Sequence, residues 1–233
     1  MPLVCAAALP RFPPDSAEQR LRRLCARWEA LLKPRLSPAQ LAHCRRFGER
    51  GAPLEARASR LLARLLALRA LPEGALVDTD APGRPSVCGA PGWNVAFSHS
   101  GRAAFCLILA PGETQEPSDA GAAPALDAEA VGALPPTDRC FSSPSTSPAV
   151  ALRRWTLAEA LFKALGCPAG QWAAVARAAE RGAAFRAGFW QGPGLAWRFA
   201  PTPGHLVCVA LPGALPSSTT SINVHWFTWQ SLT

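Results

Sequence analysis

Residues 54–71 read Leu-Glu-Ala-Arg-Ala-Ser-Arg-Leu-Leu-Ala-Arg-Leu-Leu-Ala-Leu-Arg-Ala-Leu. The leucines at 54, 61, 62, 65, 66 and 68 recur at helical spacing, with Arg57, Arg60, Arg64 and Arg69 between them. That pattern predicts a long amphipathic helix, whose apolar face needs another layer to cover it. Downstream lie two short strand candidates, Trp93 to Phe97 and Ala103 to Ala110, separated by a turn at Ser98-His99-Ser100-Gly101. The same ingredients return later. Val150 to Leu165 predicts a second long helix, ended by Gly166 and Pro168, and strands follow around Leu195 to Phe199 and Leu206 to Leu211. One long helix and a few strands in each half give an α+β fold class.

Outward from these anchors, Ser16 to Lys33 carries apolar residues at helical spacing until Pro34 stops it. Ser37 reads as an N-cap with Pro38 in the first helical position, opening a short helix to about Phe47. Residues 1–14 are Pro-rich and expected to be extended. Gly83, Pro85, Gly89, Pro91 and Gly92 mark a loop region. From Pro111 to Pro124 the chain is rich in Gly, Pro, Ser, Ala and acids without periodicity, which predicts a linker or insertion. A strand is expected around Ala125 to Glu129, a loop from Ser142 to Pro148, a helix from Gln171 to Arg181 and a Trp-rich last strand or tail from Ile222 to Trp229. The expected division is an N-terminal α+β half over 1–111, a linker over 112–124 and a C-terminal α+β half over 125–233. No internal sequence repeat is visible.

Composition narrows the function. A chain of 233 residues that is 49% hydrophobic and 17% charged can build a sizeable core and is no disordered tail. Its net charge of +8 favours an anionic partner. Only two of the 24 basic residues are lysines, Lys33 and Lys163. A lysine kept against such an arginine bias is informative, because lysine can lose its proton and arginine in practice cannot. The eight cysteines, at 5, 25, 44, 88, 106, 140, 167 and 208, form no C-x-x-C pair and read as reduced, mostly buried side chains. No basic stretch precedes the short apolar run at the amino terminus, and no apolar stretch approaches the ~18 residues of a membrane span. A cytoplasmic protein with no membrane partner is expected. There is no Walker loop, dinucleotide fingerprint or zincin helix.

Three constellations remain. Asp127 and Glu129 are two apart, so on a strand both carboxylates point to one face. Two anions that close suit a hard cation such as Mg²⁺; at an exposed loop end they would simply be solvated. Trp155, Glu159 and Lys163 recur every four residues along one side of a helix. They form either an ordinary surface Glu-to-Lys pair or a third carboxylate and a cation beside the first two. Ser98-His99-Ser100-Gly101 either holds phosphate oxygens or is a turn whose hydroxyls satisfy local backbone groups. His43, His205 and His225 lack ligand-spaced companions and read as structural.

Taken in order, these pieces resemble the 4′-phosphopantetheinyl transferases of the large monomeric type. That family carries G-K-P, F-N-[IL]-S-H-S-G, G-[IV]-D-[IV]-E and W-[TS]-x-K-E-[AS]-x-x-K. This chain has Gly83-Arg84-Pro85, then Asn94 through Phe97 leading into Ser98-His99-Ser100-Gly101. Ala125-Leu126-Asp127-Ala128-Glu129 and the run from Trp155 to Lys163 follow. Cys44-Arg45-Arg46-Phe47 and the helix bearing Arg57 also look like the family's amino-terminal half, so the resemblance spans roughly Leu36 to Gly166.

The resemblance implies two similar α+β halves related by a pseudo-twofold, with coenzyme A bound in the cleft between them. It implies transfer of the phosphopantetheine arm to a serine of an apo acyl or peptidyl carrier protein, releasing 3′,5′-ADP. Asp127, Glu129 and Glu159 would hold Mg²⁺, with Mn²⁺ as a substitute. Lys163, Arg84 and His99 would bind phosphates, Ser98 would complete that cradle, and Arg57 would reach the 3′-phosphate. Glu159 would take the serine proton, with Lys163 and His99 beside it as catalytic groups, in a monomer. Several positions depart from the family pattern: Ala125 replaces a glycine, Ala128 a β-branched residue, Ala158 a lysine and Arg84 a lysine. Residues Gly112 to Ala123 are extra, and the glutamate expected near Phe141-Ser142-Ser143-Pro144 is missing. A degenerate relative that binds coenzyme A or carrier protein without transfer is the first alternative. A basic nucleic-acid-binding module is disfavoured, because the arginines are spread along the chain and no such motif occurs.

Overall fold

The computed structural model describes residues 2–46, 53–80, 83–113, 121–132, 147–166, 170–191, 193–213 and 222–232. It is a mixed α+β structure that divides into two compact units. The first takes Pro2–Pro111 with Val224–Thr233, and the second takes Gly112–Asn223.

The first unit opens with strand β1 (Leu3–Ala8), followed by helices α1 (Pro14–Leu32), α2 (Pro38–Arg45) and α3 (Leu54–Ala70). α1 buries Leu21, Leu24, Cys25, Trp28 and Leu32 of the face predicted from their spacing, whereas Leu31, expected on the same face, is exposed. Ser37 caps α2, its hydroxyl accepting from the Gln40 N–H at 3.3 Å. α3 is the central helix, with Ala58, Leu61, Leu62, Leu65 and Leu66 buried. A hairpin of β2 (Leu76–Thr79) and β3 (Pro85–Cys88) comes next. β4 (Asn94–Ser100) and β5 (Ala103–Leu109) then form an antiparallel pair, and β5 is buried at every position. β5 also pairs antiparallel with β1, and the last strand of the chain, β10 (Val224–Phe227), lies parallel to β1. The sheet order is β10-β1-β5-β4.

The second unit holds β6 (Ala125–Ala130), α4 (Pro148–Ala164), α5 (Trp172–Gly182), β7 (Ala187–Trp190), β8 (Leu195–Thr202) and β9 (His205–Pro212). Its sheet runs β6-β9-β8-β7 and is antiparallel throughout. α4 begins at a Ser147 cap, with Pro148 in the first turn. Its Leu157, Ala158, Ala160, Leu161 and Ala164 are fully buried. Gly188 is required by packing, since a Cβ there would stand 2.4 Å from Cζ2 of Trp197.

Several expectations change. Residues 98–100 are not a turn. Ser98, His99 and Ser100 complete β4 opposite Phe105, Ala104 and Ala103, and the chain reverses only at Gly101, at φ +56°. β1, β2, β3 and β7 were not anticipated as strands. β3 emerges from the expected loop because Asp80 closes the hairpin: its Oδ1 accepts from the Arg84 N–H at 2.6 Å, and its own N–H donates to the Arg84 carbonyl at 2.8 Å. Residues 224–233 belong to the first unit, not the C-terminal half, because β10 takes its backbone partners from β1. Most of the expected linker (114–120), the Phe141–Pro144 segment, most of the Ser142–Pro148 loop, Phe47, Cys140 and Cys167 lie outside the described residues. Of the six described cysteines, all free, only Cys88 is exposed. Among the described residues no helix is long and apolar enough to cross a membrane.

Candidate active site

In the second unit, β6 and α4 bring the sequence-predicted carboxylates to one lysine. Asp127 and Glu129 share a face of β6 by strand alternation, and that face looks toward α4. Lys163 Nζ, near the end of α4, donates to Asp127 Oδ1 at 2.5 Å. Trp155, two turns earlier, donates from its indole N–H to Glu129 Oε1 at 2.9 Å. Glu159 sits one turn before Lys163 on the same helix. Asp127 is almost completely buried at 4% side-chain exposure, whereas a third of Lys163 faces solvent. Burial alone would lower the Lys163 pKa. The Asp127 charge and hydrogen bond outweigh it, Glu159 and Glu129 add to them, and the ammonium is held above its usual value. Lys163 is therefore a persistent cation at neutral pH, suited to binding an anionic oxygen and unsuited to taking a proton.

Three carboxylates and one ammonium leave this cluster with two negative charges in excess. Opposite Asp127 on β9 stands Cys208, whose thiol is pushed well above its usual range by burial and then by the Asp127 charge, so it stays neutral. Trp172 lies against Trp155 and Phe162, with ring centroids 5.8 and 5.2 Å apart, and forms an aromatic wall along α4.

As the side chains stand, no three His, Cys, Asp or Glu residues among those described converge closely enough to hold a metal ion. The donor chemistry nevertheless fits Mg²⁺: the available ligands are hard carboxylate oxygens, the cluster carries excess negative charge, and Mg²⁺ commonly takes only one or two carboxylates alongside phosphate oxygens.

In the first unit the predicted residues sit on separate elements. Arg57 on α3 is held by Glu29 of α1, with Nε and Nη2 both on Oε1 at 3.0 and 2.5 Å. Arg84 is clasped by Asp80, Nε to Oδ2, at 3.0 Å. Strand alternation sends Ser98 and His99 to opposite faces of β4, with Ser98 buried and His99 half-buried.

A basic cluster escaped the sequence reading. Arg64 is buried at 3% exposure; its Nε and Nη2 donate to Gln40 Oε1 at 3.2 and 2.9 Å, and its guanidinium stacks 4.1 Å from the Phe97 ring centroid. Among the described residues no carboxylate meets it. Beside it, His43 Nδ1 accepts from Arg46 at 2.6 Å. Burial, then Arg64, Arg46 and Arg60, lower the His43 pKa to about 4. Burial and Arg64 likewise lower the Arg60 pKa to about 10. Such crowding of positive charge is relieved by an anion. The available signal was the Arg60–Arg64 spacing, about one helical turn, beginning three residues after Arg57. No protein-family model matches the chain, and no curated protein matches it.

Proposed function

We propose that the protein transfers the 4′-phosphopantetheine arm of coenzyme A to a serine hydroxyl of an apo acyl or peptidyl carrier protein. The observation that carries this reading is the meeting of Asp127, Glu129, Glu159 and Lys163 from two motifs far apart in sequence. The order of the four motifs supports it, as does the basic net charge, which would steer an acidic carrier toward the protein. The pseudo-twofold relation of the halves belongs to the same proposal.

In the reaction, the serine oxygen attacks the pyrophosphate phosphorus that bears the pantetheine arm. The bond from that phosphorus to the bridging oxygen breaks, and 3′,5′-ADP leaves. Glu159 receives the serine proton. Lys163, kept charged by its carboxylate neighbours, offsets charge developing on the phosphoryl oxygens. Asp127 and Glu129 are the residues that would hold Mg²⁺ with Glu159, and Trp155 fixes the Glu129 carboxylate by its indole N–H. Bound Mg²⁺ supplies charge neutralisation and orientation of the pyrophosphate. Arg57, which the resemblance assigns to the 3′-phosphate, already places Nε and Nη2 on Glu29 Oε1.

A second reading, a non-catalytic relative that binds coenzyme A or carrier protein, has one observation in its favour: Lys163 already occupies Asp127. Intact mass spectrometry separates the two. An apo carrier protein incubated with the protein, coenzyme A and Mg²⁺ should gain one phosphopantetheine arm, and lose that gain with EDTA or in Asp127→Ala. Coenzyme A binding with no mass gain across several carrier types would select the second reading. Neither binding nor gain would sink both.

A further inference from the structure

We propose that a cleft in the first unit is a binding site for a small organic monoanion with an apolar body, such as an aryl or alkyl carboxylate. The cleft has a volume of about 330 Å³ and is lined by Arg11, Phe12, Ala17, Leu21, Glu55 and Arg102. That volume is at the small end of ligand pockets. It uses none of the residues assigned to phosphopantetheine transfer and stands independently of that reading.

Two features set the ligand's chemistry. Phe12, Ala17 and Leu21 make one wall apolar, and Arg20 lies 6.0 Å from the Phe12 ring centroid. Arg11 is exposed and has no carboxylate partner among the described residues. Arg102 is loosely paired: Nη2 donates to the Pro10 carbonyl, Nη1 reaches Glu55 only at 3.4 Å on a side chain that stays 41% exposed, and the buried Nε finds no acceptor among the described residues. A guanidinium with spare donors beside a second, unpaired one is a carboxylate receptor in the making. Two arginines against one glutamate leave the lining with one positive charge. That matches a carboxylate, whereas a phosphate monoester would bring a second charge with nothing to meet it. The apolar wall then selects an acid with a hydrocarbon body over acetate.

The test is calorimetric titration of the full chain with phenylacetate, run beside phenylacetamide and acetate. Phenylacetate should bind saturably, and both controls should bind at least roughly tenfold more weakly, since one lacks the charge and the other the body. Arg11→Glu, an exposed change that leaves the fold intact, should weaken phenylacetate about tenfold without lowering the melting temperature. Phe12→Ala should weaken it while leaving acetate unaffected. Equal binding of phenylacetamide, indifference to Arg11→Glu, or no saturation by about 10 mM phenylacetate would each overturn the assignment.

Discussion

The two sheets are wired alike and filled differently. In each, a six-residue first strand leads into helices and then pairs antiparallel with the last strand of a hairpin: β1 with β5, β6 with β9. The registers correspond residue for residue. The third position of the first strand is Cys5 in one unit, opposite Cys106, and Asp127 in the other, opposite Cys208. The fifth is Ala7 in one and Glu129 in the other. Cys5 and Ala7 vanish into the apolar core under α3. Asp127 and Glu129 occupy the same inward positions and are tolerated because α4 sends Lys163 and the Trp155 indole to meet them. A buried carboxylate without such partners would be strongly unfavourable. The β-α-β wiring therefore builds the scaffold in both units, and two side chains on one strand set the second core apart by placing carboxylates where the first has Cys5 and Ala7.

Making the second unit resemble the first should have the largest effect. Asp127→Cys with Glu129→Ala should abolish transfer by at least about 10³-fold, roughly 4 kcal/mol on the barrier. Circular dichroism should remain native, since the first unit folds with these residue types in place. Cys5→Ala, the reciprocal control, should leave the rate unchanged. A double variant that still loads carrier protein at the normal rate would remove β6 from the mechanism.

Next in size is Lys163→Met. It strands the Asp127 carboxylate in the core, and after discounting for the third of Lys163 that faces solvent the cost should be about 1–3 kcal/mol. Transfer should fall about a hundredfold, with Lys163→Arg recovering part of it. The pH dependence has a definite sign. Lys163 is raised above its ordinary 10.5 on folding, so the pair's stabilisation is complete below that value and is lost as pH rises through the higher folded value. Chemical denaturation of wild type and Lys163→Met at pH 8 and pH 11 should show the difference narrowing.

What the sequence made legible follows from where side-chain period and burial agree. α1, α3 and α4 were readable because leucine spacing and helix length leave little choice, and the Ser37-Pro38 start was readable from cap chemistry alone. β1 was not: Leu-Val-Cys-Ala-Ala-Ala is apolar on both faces, so it lacks the alternation that marks a half-exposed strand. β7 was missed because its Gly188 and exposed Phe189 look like a loop until Trp197 is seen to fill the space beside Gly188. The Asp127–Glu129 pair and the Glu159–Lys163 pair were each legible from a period of two and a period of four, whereas their meeting across β6 and α4 was expected only from the resemblance. The His43–Arg64 cluster was hidden because it joins α2 to α3, and residues from two helices share no period.

That basic cluster gives the first unit its own charged test. His43 drops to about 4 from an ordinary 6.5, so the neutral ring is favoured by folding. The stability this confers is full above pH 6.5 and is lost as pH falls through the folded value near 4. Screening at a partly exposed ring should reduce it to about 1–2 kcal/mol. Denaturation midpoints from pH 7 to pH 4 should fall more steeply in wild type than in His43→Asn. Millimolar inorganic phosphate should raise the His43 pKa read by NMR; a pKa unmoved by phosphate would remove the cluster as an anion site.

The smallest effect should come from Trp155→Phe, which keeps the aromatic wall with Trp172 and removes only the indole N–H to Glu129. The loss of one hydrogen bond to a carboxylate should cost about 1 kcal/mol of stability and slow transfer up to roughly tenfold when Mg²⁺ is subsaturating. The split between the two readouts is informative. If Glu129 serves the metal, its released carboxylate should weaken Mg²⁺ dependence, so that the Mg²⁺ concentration giving half-maximal rate rises while the saturated rate changes little. If Glu129 merely fills a core position, stability alone should fall and the Mg²⁺ titration should superimpose on wild type. The counterpart position in the first unit is Ala7, which needs no partner at all, and so the indole N–H is the part of the second core that exists for the carboxylate and not for packing.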